Sequence, residues 1–173
     1  MLRWLGHNAV ALMDGGWKKW LEEGKPTARE ATATSSRQFR ARVHEEMLAG
    51  VDDVLASISD ANVALLDARS ADRFRGENET LDPVAGHIPG ALCVPFMNHV
   101  DQRGCLRPAE ELRDMYAEWL GDSQVSNAIV YCGSGVTAAL NILALVYAGL
   151  GTARLYPGSW SHWITDERRP VET

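Results

Sequence analysis

The apolar run Ala128-Ile129-Val130-Tyr131 breaks directly into Cys132-Gly133-Ser134-Gly135, and a mostly apolar stretch of helical length, Val136 to Tyr147, follows at once. A run this short and continuously apolar reads as a strand buried on both faces, the kind found in parallel sheets whose two sides are covered by helices. A second such run, Val63 to Leu66, ends in Asp67-Ala68-Arg69. Ala91 to Val94 is a further short strand candidate, and Val51 to Ile58 suits a short helix. Ala109 to Leu120 places Leu112, Met115, Tyr116 and Trp119 at helical spacing behind Pro108, the signature of an amphipathic helix. Residues 70 to 90 are polar and turn-rich, closing with Gly86-His87-Ile88-Pro89-Gly90. Strand and helix in alternation predict an α/β fold around a parallel sheet, with the working groups gathered at the carboxyl ends of the strands.

The bulk chemistry narrows the function. A chain of 173 residues, 46% hydrophobic and 23% charged, is sized for one principal compact domain. Its net charge of −6 argues against binding a phosphate backbone, which relies on clustered Lys and Arg, so nucleic acid is not an expected partner. The 3 cysteines, Cys93, Cys105 and Cys132, contain no CxxC pair and suit neither a disulfide framework nor a zinc site. None of the 5 histidines stands at metal-ligand spacing with acids or cysteines, so no metal is expected. The start, MLRWLGHNAV, lacks the pattern of a secretory signal. The longest apolar stretch, Ala138 to Gly151, is short for a bilayer and carries Asn141. Together these features predict a cytoplasmic protein with no membrane partner.

Two segments of the chain resemble each other. Leu12, Gly15, Trp17 and Trp20 in LMDGGWKKW match Leu155, Gly158, Trp160 and Trp163 in LYPGSWSHW at one constant offset, and a charged stretch with a proline follows each, Pro26 in one and Pro170 in the other. Tryptophans three apart share a helix face, and a glycine just before them suits a tight turn. The match predicts a repeat, in which residues 1–28 are the terminal segment of a preceding unit whose body is missing. The small, polar stretch GKPTAREATATSSR has no apolar period and reads as a connection, giving a linker at 29–38 and a second unit at 39–173.

The chemistry concentrates at Cys132. Gly133 and Gly135 let the backbone curl so that several N–H groups of the loop Cys132-Gly133-Ser134-Gly135-Val136-Thr137-Ala138 point inward, forming an anion nest at a helix amino terminus. The same field lowers a cysteine pKa, and the thiolate is the nucleophilic form. Cys93, between Leu92 and Val94, reads as core, and Cys105 as an incidental surface thiol. Arg69 and Arg73, just past the strand ending at Asp67, are placed to reach the same sheet edge, where an arginine fork fits a carboxylate. Asp67 reads as a buried group orienting Arg69 or as a helix cap. Arg75 is a weaker substrate candidate. His87, in a Gly- and Pro-bounded turn, reads as a hydrogen-bonded structural residue, and Trp160 with Trp163 as core or domain-interface packing.

The loop CGSGVTA, with LLDARSADRFRG, GHIPGALCVPF and LYPGSWSHWI, resembles the tandem rhodanese-family sulfurtransferases, particularly the 3-mercaptopyruvate-using branch, over about residues 35–173. The resemblance implies a catalytic rhodanese domain with a central parallel sheet of about five strands and helices on both faces. It implies a persulfide on Cys132 cradled by Gly133, Ser134, Gly135, Val136 and Thr137, with no cofactor beyond that covalent intermediate. The implied partners are a small-molecule sulfur donor, a thiol, thioredoxin-like or cyanide acceptor, and an absent amino-terminal rhodanese domain. Donors of both kinds known in the family are open, 3-mercaptopyruvate and thiosulfate; thiosulfate-using relatives tend to carry basic residues in the loop. This loop has none, while Ser134 offers a hydroxyl to a thiol-bearing substrate, which favours 3-mercaptopyruvate. Thiosulfate transfer and a persulfide carrier without turnover are the alternatives. A phosphatase-type cradle needs an arginine six residues after its cysteine, and that position is Ala138.

Overall fold

The computed structural model describes residues 1–30, 33–121 and 123–173; Ala31 and Thr32, inside the expected linker, and Asp122 lie outside the described residues. Four short parallel strands, β1 (Leu65–Asp67), β2 (Leu92–Cys93), β3 (Ile129–Tyr131) and β4 (Arg154–Leu155), form one sheet in the order β2-β1-β3-β4. A lone parallel bridge from Leu48 to Leu155, with Ala49 N–H donating to the Leu155 carbonyl at 2.8 Å, adds a fifth position beside β4. The sheet therefore meets the expected five-strand layout with its last member reduced to a single bridge.

Side chains alternate across the strands and so feed two cores. Leu66, Val94 and Val130 pack with Leu112, Tyr116 and Leu120 of α4 (Ala109–Leu120) and with Ala138, Ala144 and Leu145 of α5 (Ala138–Tyr147). Leu65, Ile129 and Tyr131 face the other way, onto Val54 of α2 (Val51–Ser57) and onto Trp160 and Trp163 of α6 (Ser159–Trp163). Helices cover both faces, as the doubly buried strand pattern requires. The α4 boundaries follow from local chemistry. Pro108 starts the helix, Glu110 and Glu111 sit against the positive end of its dipole, Leu112, Tyr116 and Leu120 bury one stripe, and Gly121 ends it at φ +53°. A short helix, α3 (Ala71–Phe74), follows β1.

Chain order against sheet order makes β1 and β3 the point where successive connections leave in opposite directions. In parallel α/β sheets that crevice, at the carboxyl ends of the strands, is where ligands bind. Asp67 ends β1 and Cys132 follows β3, so the fold brings the two loops singled out above to one place.

The first segment folds over a distant loop. Leu5 and Trp4 carbonyls accept N–H groups of Arg42 and His44 at 2.9 and 2.8 Å, and the Asp14 carboxylate accepts the Leu106 N–H at 2.9 Å. Gly15, just before α1 (Gly16–Glu22), lies so close to Cys105 Sγ that an added Cβ would stand 3.0 Å from it. Cys105 is therefore buried, correcting its reading as a surface thiol. Cys93 departs in the opposite direction: β2 is an edge strand, so Cys93 is only half-buried and Val94 takes the core position.

Candidate functional site

Cys132 is 1% exposed, and its Sγ accepts the Gly135 N–H at 3.1 Å. Burial pushes its thiol pKa up, but the Thr137 hydroxyl and the N–H groups of Ala138, Ser134 and Thr137 outweigh that and leave it below the ordinary thiol value. The loop can curl this tightly because Gly135 takes φ +78° with its Cα against the Pro157 carbonyl, where a Cβ would stand 2.5 Å from the oxygen. Any larger residue there would push the loop off α6. Ser134 is exposed, and Val136, at 73% exposure, forms an apolar rim facing solvent.

The far side of the loop rests on the start of α6. Cys132 N–H donates to Ser159 Oγ at 3.1 Å, and the Ser159 hydroxyl donates to the Tyr156 carbonyl at 2.9 Å. The Cys132 carbonyl accepts the Trp160 N–H, and the Gly133 carbonyl the Ser161 N–H, both at 2.9 Å. Ser159 holds φ +52° to do this, the single non-glycine positive φ among the described residues. A left-handed backbone costs a non-glycine residue roughly 1–2 kcal/mol, so the neighbouring contacts must impose it.

Arg69 and Arg73 come to the loop in different ways. Arg69 is buried; its guanidinium forks onto Asp67 at 2.7–3.1 Å, donates to the Gly86 carbonyl at 2.7 Å, reaches Glu79 at 3.4 Å and lies over the Trp160 ring at 4.7 Å. Burial works against its charge and the Asp67 carboxylate more than restores it, so its pKa is raised. Asp67 also accepts the Arg69 backbone N–H at 2.9 Å, so it holds Arg69 at both backbone and side chain; it caps no helix, since α3 starts from Ser70 without a side-chain cap. Arg73 is partly exposed and close to the loop, since a Cβ on Gly133 would meet its terminal nitrogens at 3.5 and 3.6 Å. It is held by Glu79 through two bonds of 2.9 Å and by Asp82 at 3.1 Å. Burial raises the Glu79 pKa, but Arg73 and the N–H groups of Leu81 and Asp82 overcome this and hold it below the usual carboxylate value.

Arg75 pairs with Glu77 at 2.8 Å on the surface. His87 is buried with Nδ1 2.8 Å from the Phe74 carbonyl and its ring stacked on Phe74 at 3.7 Å, a structural placement. Trp160 and Trp163 are core. Glu79, Asp82, Ser159 and Ser161 escaped the sequence reading. Of these only the two serines lie in a stretch already marked, LYPGSWSHW; the two acids sit in a polar segment with no periodic signal. Among the described residues no group of three or more His, Cys, Asp or Glu is arranged to hold a metal ion, and no helix is long and apolar enough to cross a membrane.

A buried cysteine held by a backbone N–H in a tight turn, at the strand-switch crevice of a parallel α/β sheet, is the class of site that this fold defines. Residues 50–166 match the rhodanese-like domain family, and the chain belongs to it. It is 42% identical over its whole length to a probable 3-mercaptopyruvate sulfurtransferase of Pseudomonas aeruginosa, covering 61% of that protein. It is 34% identical over its whole length to the thiosulfate sulfurtransferase of Rattus norvegicus and 33% identical over 97% of its length to the 3-mercaptopyruvate sulfurtransferase of Homo sapiens, covering 58% and 57% of them. The chain thus spans about three fifths of the length of these relatives. In fold it superposes on an anaerobic ergothioneine biosynthesis enzyme from Chlorobium limicola with a TM-score of 0.86 at 22% identity, over 98% of this chain and 43% of that one.

Proposed function

We propose that the chain is the sulfur-carrying part of a sulfurtransferase that moves a sulfane sulfur from 3-mercaptopyruvate through a persulfide on Cys132 to a thiol or cyanide acceptor. The observation that carries this is the ring of N–H and hydroxyl donors around a buried sulfur whose pKa is lowered despite burial. Such a cradle holds an anion on sulfur and suits a persulfide as well as a thiolate. The Cys132 thiolate attacks the donor sulfur and an S–S bond forms. The C3–S bond breaks, its electron pair passes to the enolate of pyruvate, and C3 takes the proton that the donor thiol gives up. An acceptor thiolate or cyanide then attacks the outer sulfur and releases Cys132 as thiolate, so one difficult transfer becomes two easier ones.

Ser134, exposed on the loop, is the group for the donor's thiol, and Arg73 beside Gly133 the group for its carboxylate. Arg69 serves by anchoring, since its donors are taken up by Asp67, Gly86 and Glu79. Thiosulfate, a dianion, is the poorer donor here, because the loop from Cys132 to Ala138 holds no Lys or Arg of its own. With Ala138 in place of a cradle arginine, nothing favours phosphoryl chemistry. We also infer that residues 1–28 end a preceding rhodanese-like domain, supported by the matched tryptophan segments and by the length of the relatives. A cytoplasmic setting completes the reading.

Intact-mass measurement after incubation with 3-mercaptopyruvate tests this: the chain and its Cys93→Ser and Cys105→Ser variants should each gain one sulfur, and Cys132→Ser none. Sulfur uptake by Cys132→Ser would sink the assignment. A persulfide that forms without turnover of either donor would make the domain a carrier. Arg73→Ala should raise the apparent KM for 3-mercaptopyruvate roughly ten- to a hundredfold, the worth of a charged hydrogen bond. The lowered thiol pKa also has a sign in stability. Because the folded value lies below the unfolded one, near 8.5, the stabilisation is fully present above the unfolded value and is lost as pH falls through the folded one. Cys132→Ser should flatten that part of a pH-stability profile.

A further inference from the structure

Gly133 C=O and Ser134 N–H are two ends of one peptide unit, planar and trans, so they point in opposite directions. The N–H end acts on Cys132 from the side where the next N–H, that of Gly135, donates to Sγ at 3.1 Å, and it helps to lower the thiol pKa. The carbonyl end is held outside by Ser161, through its N–H at 2.9 Å and its Oγ at 2.8 Å. Whatever fixes the carbonyl therefore aims the N–H at the sulfur. The same Ser161 Oγ lies 2.8 Å from Asp82 Oδ1, and a hydroxyl has one proton for these two acceptors. The other Asp82 oxygen accepts Arg73 at 3.1 Å.

We propose that Ser161 and Asp82 are positioning residues for the Cys132 thiolate, acting through one hydroxyl proton shared between the Gly133 carbonyl and the Asp82 carboxylate. With the proton on Gly133 the carbonyl is gripped twice and Ser134 N–H is held toward the sulfur. With it on Asp82, the charge-assisted and stronger bond, Gly133 keeps only the Ser161 N–H. The charged groups on this side are few: Arg73 from α3, Asp82 and Glu79 from the segment after it, and the Arg69–Asp67 pair beneath Trp160. His162, the remaining titratable group of α6, is bonded through Nδ1 to the Tyr156 hydroxyl at 2.7 Å.

The proposal rests on Cys132 as the working thiol, and its test separates the two readings. The pH profile of iodoacetamide alkylation, read on the Cys132-containing peptide of the whole chain, reports the thiolate whether or not any donor loads it with sulfur. Ser161→Ala removes the second grip and should raise the apparent pKa, slowing alkylation at pH 7 by about two- to tenfold, the range of one neutral hydrogen bond. Asp82→Asn replaces a carboxylate by a weaker acceptor, returns the proton to Gly133 and removes a negative charge, so alkylation should speed up by a similar factor. In the Ser161→Ala background the Asp82→Asn gain should shrink, because only the charge remains to act. A merely structural role slows both single variants, and a merely Coulombic role of Asp82 gives the same gain in both backgrounds; either result overturns the proposal. Ser161 lies on the surface, and thermal melts of each variant identify any loss of fold. Normal alkylation shifts with no sulfur uptake would sink the sulfurtransferase reading and leave this one standing.

Discussion

The segments around Trp17 and Trp160 share several local features, though Gly15 at φ +78° and its counterpart Gly158 at φ −64° differ in backbone, and they meet opposite fates. Trp20 Nε1 donates to the Pro26 carbonyl at 3.0 Å and Trp163 Nε1 to the Pro170 carbonyl at 2.9 Å. Gly16 and Ser159, at matching positions, have φ of +61° and +52°. A Cβ on Gly15 would stand 2.8 Å from the Lys19 Cβ, and one on Gly158 2.8 Å from the His162 Cβ. Yet Trp17 is 57% exposed and Trp160 is 0% exposed. The turn and its helix are thus local products of the glycine and tryptophan spacing, while burial comes from what lies beneath. Trp160 has β1, β3, Arg69 and the Cys132 loop to press on; the stretch around Trp17 meets the 101–106 turn through Asp14 and Gly15, and no sheet lies beneath it among the described residues.

The widest way to break the equivalence is to truncate each tryptophan. Trp160→Ala should cost about 3–5 kcal/mol, as removal of a fully buried aromatic does, and Trp17→Ala within about 0.5 kcal/mol, as an exposed substitution does. Urea unfolding of the two variants measures both, and equal losses would mean that the first segment is buried in solution. Nearly as large is the loss of what Trp160 rests on. Arg69→Ala leaves Asp67 buried and unpaired, which costs about 3–5 kcal/mol. Arg73→Ala should change stability less, because Arg73 itself is partly exposed and Glu79 keeps Arg69 and the Leu81 and Asp82 N–H groups as partners. Melting temperatures of the two variants that coincide would put Arg69 outside the core.

Much of this arrangement was legible beforehand because it is local. The apolar run Val63–Leu66 overlaps β1 and Ala128–Tyr131 contains β3, the α4 stripe gave both helix ends, and the glycine spacing after Cys132 announced the tight loop whose Gly135 N–H reaches the sulfur. What escaped is long-range or too short to carry a pattern. β4 is two residues, Arg154 and Leu155, with no apolar run to mark it. Glu79 and Asp82 look like solvated loop acids until the chain after α3 folds back and presents them to Arg73. Cys105 was misread because Asp14, far away in sequence, brings Gly15 over it. Cys93 was misread because a strand pattern does not say where the sheet stops.

A smaller effect separates the two positive-φ positions by cause. At Gly16 a Cβ meets nothing within 4 Å, so Gly16→Ala should cost only the roughly 1–2 kcal/mol of a left-handed backbone. Ser159 already bears that strain, and Ser159→Ala instead removes the acceptor of the buried Cys132 N–H, about 1–3 kcal/mol. Only the second should also slow Cys132 alkylation. If Gly16→Ala slowed it equally, the first segment would reach the site by a route other than the contacts above.

The smallest change in stability should carry its information in association. Trp17 and Leu21 are one helical turn apart on α1 and exposed, with Leu12 and Met13 exposed just before them. This row is the counterpart of the one that α6 buries, but here it meets water. Trp17→Lys removes apolar area from the surface without touching the Trp20–Pro26 bond, so its effect on unfolding should stay within about 0.5 kcal/mol. Contiguous exposed apolar residues favour contact between molecules, so light scattering at rising concentration should show the unaltered chain associating and the variant associating less. Equal association of both would remove Trp17 from any interface and leave the second segment's burial as a property of its own sheet alone.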